Sequence, residues 1–277
     1  MSFRTITSKQ NRVARLVRLV SAQARRAPAD LVLAEGLRVL EEATRSPCAV
    51  VQVVMAEGYG SAPREEALIA EWSRKGIPIY MTSAKLLATL SDVVAPQGAV
   101  ALVRIQRRRL VDAGAAGPVL AVCACDIQDP GNLGTLVRSA RAARVSLFCT
   151  TAGTASLRNP KTIRASAGAL FHQPFVEDLS PEEFVDHCSR RSIPVFRTSA
   201  EAGLSIWNTD LKKPCAILLG NESRGIEDPL LQQLPNIRIP MAPGVDSLNV
   251  AVAGSIILFE ALRQRSSPNL KLPLVAS

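Results

Sequence analysis

From Val119 onward, short apolar runs alternate with stretches of helical spacing, and that alternation leaves few folds open to the chain. The strand-like runs are Val119 to Cys125, Val145 to Thr150, Pro194 to Thr198, Ala216 to Leu219 and Ile237 to Ile239. Leu133 to Ala143, Lys161 to Leu170, Pro181 to Arg190, Pro229 to Leu234 and Leu248 to Gln264 instead place apolar residues every three or four positions. A strand that is apolar on both faces needs cover on both. The pattern therefore predicts an α/β fold with a mostly parallel sheet, helices on either side, and ligands beyond the carboxyl ends of the strands.

A smaller alternation precedes this one. Leu31 to Leu33, Val50 to Met55, Ile77 to Tyr80 and Ala99 to Val103 read as strands, and Glu35 to Thr44, Arg64 to Lys75 and Ala84 to Leu90 as helices, which predicts a small α/β unit. Residues 107–117, three arginines followed by an Ala/Gly-rich stretch, break both periods and read as a linker. The expected organisation is an N-terminal unit over 1–106, a linker over 107–117 and a larger domain over 118–277. A chain of 277 residues suffices for two cores.

Charge is concentrated at the start. Residues 1–29 carry Arg4, Lys9, Arg12, Arg15, Arg18, Arg25 and Arg26 without an acid, within a net charge of +9. Thr7 with Gln10 fits a capping box, and Val13, Leu16, Val17 and Val20 recur at helical spacing, so a basic amphipathic helix ending before Pro28 is predicted. Such a face calls for an anionic partner, a nucleic acid or a membrane surface. The absence of Trp and Phe from its apolar side favours nucleic acid. The same Arg-rich, acid-free pattern also describes an organelle transit peptide.

Other classes lose ground on composition. No apolar run approaches the roughly 18 residues that span a bilayer, so no membrane segment is expected. Six scattered cysteines, with Cys123 and Cys125 inside an apolar run, suit buried thiols in a reducing cytoplasm. Two histidines, His172 and His187, and no CxxC pair make a metal site unexpected.

Three loops follow three of the predicted strands. Asp126 to Ala142, DIQDPGNLGTLVRSARA, has Pro130, Gly131 and Gly134 for a tight strand-to-helix turn, with Asn132 and Arg138 projecting from it and the next helix. Leu218 to Ile226, LLGNESRGI, runs an apolar strand into Gly220, where backbone can approach a ligand, then Glu222 and Gly225. Ile239 to Gln264 opens with a Pro243-Gly244 loop; Asp246 or Ser247 can cap the helix after it, with Asn249 in its first turn and Ser247 and Asn249 forming a polar pair that looks buried. Each alone is an ordinary turn, and neither GxGxxG nor GxxxxGKS occurs among them.

Together they resemble the SpoU (TrmH) family of SPOUT-class RNA methyltransferases. Asn132-x-Gly134-x-x-x-Arg138 matches the first family motif, Leu219-Gly220-Asn221-Glu222 with Gly225 the second, and Ile239-Pro240-Met241 followed by Ser247-Leu248-Asn249-Val250 the third. Ser166-Ala167-Gly168-Ala169 is similar to the family's SxGA segment. Ser8, Asn11, Glu35, Gly36 and the Pro96-Gln97-Gly98 turn agree more loosely with the substrate-binding domain that many members carry, which weakens the transit-peptide reading.

The resemblance implies a C-terminal trefoil knot, S-adenosyl-L-methionine bent into the knotted loops, and a homodimer formed by the catalytic domain, with Arg138 beside the partner's cofactor pocket. Leu219, Gly220, Ile239, Met241, Leu248 and Asn249 are the implied cofactor-binding residues. Asn132, Arg138, Glu222, Ser247 and Asn249 are the implied catalytic set. The implied reaction is attack of an RNA ribose 2′-hydroxyl on the sulfonium methyl group. A guanidinium keeps its proton to pH above about 12, so Arg138 is read as a fixed cation that stabilises the developing alkoxide. Asn132 and Asn249 would position ribose or Arg138, Glu222 would anchor its loop or orient Arg138, and Ser247 would cap the third loop. The separate N-terminal unit favours rRNA over tRNA. The rivals are a tRNA enzyme, a base methyltransferase and a non-catalytic RNA-binding protein on the same fold.

Overall fold

A computed structural model describes residues 3–23, 27–91, 93, 96–106, 108–112, 119–200, 203–221, 224–226 and 228–266. The chain forms two compact units. One takes residues up to Arg107 together with Asp129–Arg138 and Ala155–His172; the other takes Arg108–Gln128, Ser139–Thr154 and the chain from Gln173.

The first unit is built on a five-stranded mixed sheet of β1 (Arg4–Ile6), β2 (Leu31–Glu35), β3 (Ala49–Ala56), β4 (Ile79–Thr82) and β5 (Ala99–Arg104), in the order β1-β4-β3-β5-β2. β5 runs antiparallel to both of its neighbours, and the other pairs are parallel. Around it lie α1 (Arg12–Ser21), α2 (Leu37–Arg45), α3 (Pro63–Arg74) and α4 (Ala84–Leu87). Trp72 of α3 is fully buried and donates its indole N–H to Thr44 Oγ1 at 2.9 Å, so the large ring is packed without an orphaned donor.

The basic helix forms, with a different start. Asn11, not Thr7, is the N-cap: its Oδ1 accepts from Val13 N at 2.9 Å. Thr7 and Gln10 stay outside the helix because Arg4–Ile6 just before is drawn into the sheet as β1, beside β4. Ala14, Val17 and Val20 are buried, while Arg12, Arg15 and Arg18 are exposed on the opposite side. The predicted linker lies partly outside the described residues; Leu110–Asp112 within it forms a 3-10 turn.

The second unit holds a seven-stranded sheet of β6 (Leu120–Ala124), β7 (Leu147–Thr151), β8 (Phe175–Leu179), β9 (Val195–Thr198), β10 (Leu204–Ser205), β11 (Cys215–Leu219) and β12 (Asn236–Arg238). Its order is β10-β12-β9-β11-β6-β7-β8, and each pairing is parallel. β6, β7 and β11 are buried along their whole length, which is why they read as unbroken apolar runs. α7 (Pro181–Arg190), α8 (Pro229–Gln232) and α9 (Val250–Arg265) belong to this unit, and α5 (Pro130–Ala142) runs through both. The edge strands β8 and β10 lie outside the predicted set.

All six cysteines are free and all but Cys48 are buried. Burial raises the thiol pKa values of Cys149 and Cys188, that of Cys188 to about 12, so both stay protonated and inert at neutral pH. Among the described residues no helix is long and apolar enough to cross a membrane.

The helix expected over Lys161 to Leu170 is shorter. α6 (Pro160–Ala165) stops, Ala167 and Gly168 take positive φ of 50° and 85°, and Ala169–Phe171 makes a 3-10 turn. The cause lies far away in sequence: a Cβ on Gly168 would stand 2.5 Å from Cβ of Glu42 in α2. His172 Nε2 lies 3.0 Å from the same glutamate's carboxylate, and Cys48 Sγ donates to the Phe171 carbonyl at 3.4 Å. The SxGA segment is therefore moulded against α2 and its neighbours within the first unit.

Candidate active site

A cavity of about 430 Å³ opens at the carboxyl ends of β9, β11 and β12. Leu219 and Gly220 line it from the end of β11, and Ile239, Met241 and Leu248 from the segment between β12 and α9. Ile226, Ile237, Val250 and Ile257 extend the apolar wall. Arg197, Ser199, Arg224, Asp246 and Ser247 supply polar groups, as does Thr198, whose hydroxyl is spent on the Leu218 carbonyl at 3.0 Å.

Two of the three loops are tied together beside it. Asn221 and Gly225 exchange both backbone hydrogen bonds at 2.9 Å, closing a tight turn in which Gly225 has φ +64°. Gly220 serves that turn: a Cβ there would lie 2.6 Å from the Gly225 carbonyl carbon and 2.7 Å from Ile226 Cγ1. The close approach that demands glycine is thus one of the chain to itself. Asn221 Nδ2 donates to the Asp126 carbonyl at 2.9 Å, and the Arg224 guanidinium pairs with the Asp126 carboxylate. Asp126 holds a left-handed φ of +55°, and its N–H donates to Thr151 Oγ1 at 3.3 Å. This staple starts the first loop and pins the second.

The third loop ends on Asn249, which is the N-cap of α9. Its Oδ1 accepts from Ala251 N at 2.9 Å and from Val252 N at 3.3 Å. Asp246 and Ser247 therefore do not cap the helix, and Ser247 and Asn249 are exposed rather than a buried pair. The backbone turns helical only after Asn249, so an amide one turn before Ala253 reaches N–H groups that Asp246 and Ser247 do not.

The first motif is arranged on α5. Asp129 Oδ1 accepts from Asn132 N at 2.9 Å, and its Oδ2 from Lys161 Nζ at 2.8 Å. Lys161 and the helix-start N–H groups hold the Asp129 carboxyl below its ordinary pKa. Gly134 lies inside α5, not in a strand-to-helix turn: a Cβ there would stand 2.6 Å from Ala165 Cβ, so it permits the close packing of α5 on α6. Arg138 is exposed further along α5, and the next residue, Ser139, shares a 2.7 Å hydroxyl–hydroxyl hydrogen bond with Ser255 of α9.

Of the implied cofactor residues, the cavity gathers Leu219, Gly220, Ile239, Met241 and Leu248, and Asn249 stands outside its lining. Of the implied catalytic residues, Ser247 lines it, Asn132 and Arg138 do not, and Glu222 falls outside the described residues. Asp126, Arg197 and Arg224 carry no assignment from sequence, and Asp246 carries only that of a candidate helix cap. A positive φ at Asp126 and an ion pair spanning 98 positions leave no periodic trace.

The family model described as SpoU rRNA Methylase family matches residues 119–259, and the MRM3-like substrate binding domain matches residues 10–101. The chain is 29% identical over 255 residues to the 23S rRNA (guanosine(2553)-2′-O)-methyltransferase RlmP of Bacillus subtilis, which covers 92% of this chain and 97% of that protein. Its structure is similar to that of an AdoMet-bound rRNA methyltransferase from Sinorhizobium meliloti, at 28% identity and a TM-score of 0.82 over 96% of this chain and 99% of the other. It is also similar to the SpoU methyltransferase AviRb from Streptomyces viridochromogenes in complex with AdoMet, at 25% identity and a TM-score of 0.80 over 92% and 99%. With three motif loops on a parallel sheet and one family model spanning 119–259, this chain belongs to the SpoU rRNA methylase family.

Proposed function

We propose that the chain methylates a ribose 2′-hydroxyl in rRNA with S-adenosyl-L-methionine. The observation that carries this reading is the cavity: residues from two motifs separated in sequence, Leu219 and Gly220 from one and Ile239, Met241 and Leu248 from the other, wall a single space. Its size and the apolar part of its lining suit a nucleoside-bearing cofactor. Arg197, which lines the cavity and makes no ion pair among the described residues, also fits a ligand that carries an anion. The names of the relatives, rRNA 2′-O-methyltransferases, support rRNA over tRNA. When bound, the cofactor supplies an electrophilic methyl group on sulfonium.

The chain's own part is to orient the hydroxyl and stabilise charge. Arg138 holds a positive field where the alkoxide develops, while RNA phosphate or solvent takes the proton. Asn132 positions the ribose or Arg138, and the role proposed for Glu222, which lies outside the described residues, is to anchor its loop or orient Arg138. Asn249 pins the third loop through the cap of α9, and Ser247 faces the cavity as a polar group at its mouth. The test is transfer of labelled methyl from S-adenosylmethionine to rRNA, with the product read as an alkali-resistant linkage. Label on a base, on tRNA alone, or on no RNA overturns the reading.

Further parts of the proposal follow the family. Residues 1–106 bind RNA, 107–117 link, and 118–277 catalyse in the cytoplasm; the bounds of the two family models support this division. A trefoil knot in the catalytic domain, to be checked by a cofactor-bound crystal structure, holds the cofactor loops. Fractionation checks the location. The catalytic domain forms a homodimer through α9, where Val252 and Phe259, seven positions apart and so on one face, stand about half exposed. Phe259→Asp is expected to convert the dimer to a monomer in sedimentation, and an unchanged sedimentation coefficient would reject that interface.

A further inference from the structure

Arg197 is a cation that its surroundings do not explain. It sits on β9, an inner strand, beside Leu218 of β11 and Asn236 of β12, and it is one of the residues that line the cavity. Its Nε is buried and has no hydrogen-bond acceptor, and the guanidinium makes no ion pair with a carboxylate among the described residues. The other arginine of the lining, Arg224, is already paired with Asp126. Among the described lining residues the remaining charge is Asp246, which is exposed.

Arg197 lines the cavity and makes no ion pair among the described residues, so an anion brought in beside its guanidinium gains a charge-assisted hydrogen bond. S-adenosylmethionine carries one anionic group, the carboxylate of its methionine part. An RNA phosphate fits less well, because about 430 Å³ holds one nucleoside-sized ligand and not a polynucleotide strand beside it. We propose that Arg197 binds the carboxylate of S-adenosylmethionine and so selects the intact amino-acid end of the cofactor. This rests on the cofactor reading above.

Calorimetry on the full chain tests it with two ligands, S-adenosylmethionine and its decarboxylated analogue, which keeps the adenosine, the sulfonium and the amine. The wild type is expected to bind the analogue at least about 10-fold more weakly, the scale of a charge-assisted hydrogen bond. Arg197→Met is expected to lose affinity for S-adenosylmethionine by a similar factor and to bind the analogue within about 2-fold of wild type. Should Arg197→Met fail to fold in a thermal melt, Arg197→Gln carries the same expectation. Equal loss for both ligands would mean that Arg197 only shapes the cavity, and a preference retained by the variant, or absent from the wild type, overturns the assignment. A wild type that binds neither ligand instead sinks the cofactor reading.

Discussion

Arg138→Ala is expected to lower methyl transfer by roughly 10²-fold or more, the scale for loss of one preorganised transition-state donor, with cofactor affinity unchanged. The two halves of that expectation have different grounds. Arg138 is exposed on α5 and stands outside the cavity lining, so removing its side chain takes no wall from the cofactor and leaves no buried group unpaired. The loss falls on kcat because the guanidinium acts on charge that appears only as the hydroxyl attacks. Arg138→Lys should recover little, since an ammonium on a flexible stem cannot reproduce a planar fork held in one orientation. Near-normal turnover in either variant, measured with saturating cofactor, would return Arg138 to an ordinary surface charge.

How much of this was legible in the sequence depends on the distance over which each feature is determined. β6, β7 and β11 are buried on both faces, and their apolar runs announce them. β8 carries Glu177 and Asp178 in five residues at the sheet edge, where one side needs no partner strand, and it has no such run. The motif loops could be ordered along the chain because glycine and proline mark them. What each glycine does was not readable: Gly134 answers to Ala165, Gly168 to Glu42 and Gly220 to Gly225, neighbours that exist only once the chain is folded. The same holds for the cap of α9, where Asp246, Ser247 and Asn249 are all competent residue types and only the backbone selects among them.

The largest expected effect on RNA binding concerns α1. Arg12, Arg15 and Arg18 point away from the buried Ala14, Val17 and Val20, so a triple change to Gln removes three charges and leaves the packed side of the helix intact. Deleting the N-terminal half is a poorer test. Within the first unit, α6 packs on β2, and Gly168 and His172 lie against Glu42 of α2, so a chain beginning near Pro118 would uncover Ile163, Leu170 and Phe171, all now at least 98% buried. Loss of RNA binding in such a fragment would not separate missing charge from a disturbed SxGA segment. For the triple variant, each arginine that no longer neutralises a phosphate takes about 0.7 to 0.9 from the slope of log K against log salt, so three of them flatten it by roughly 2 to 3. Affinity should fall most at low salt, where counterion release contributes most, and S-adenosylmethionine should bind as before because the cavity lies wholly in the second unit. If the variant binds rRNA with the parent's slope, the basic face of α1 is solvated surface, and the RNA-binding face of the N-terminal unit must be sought elsewhere on it.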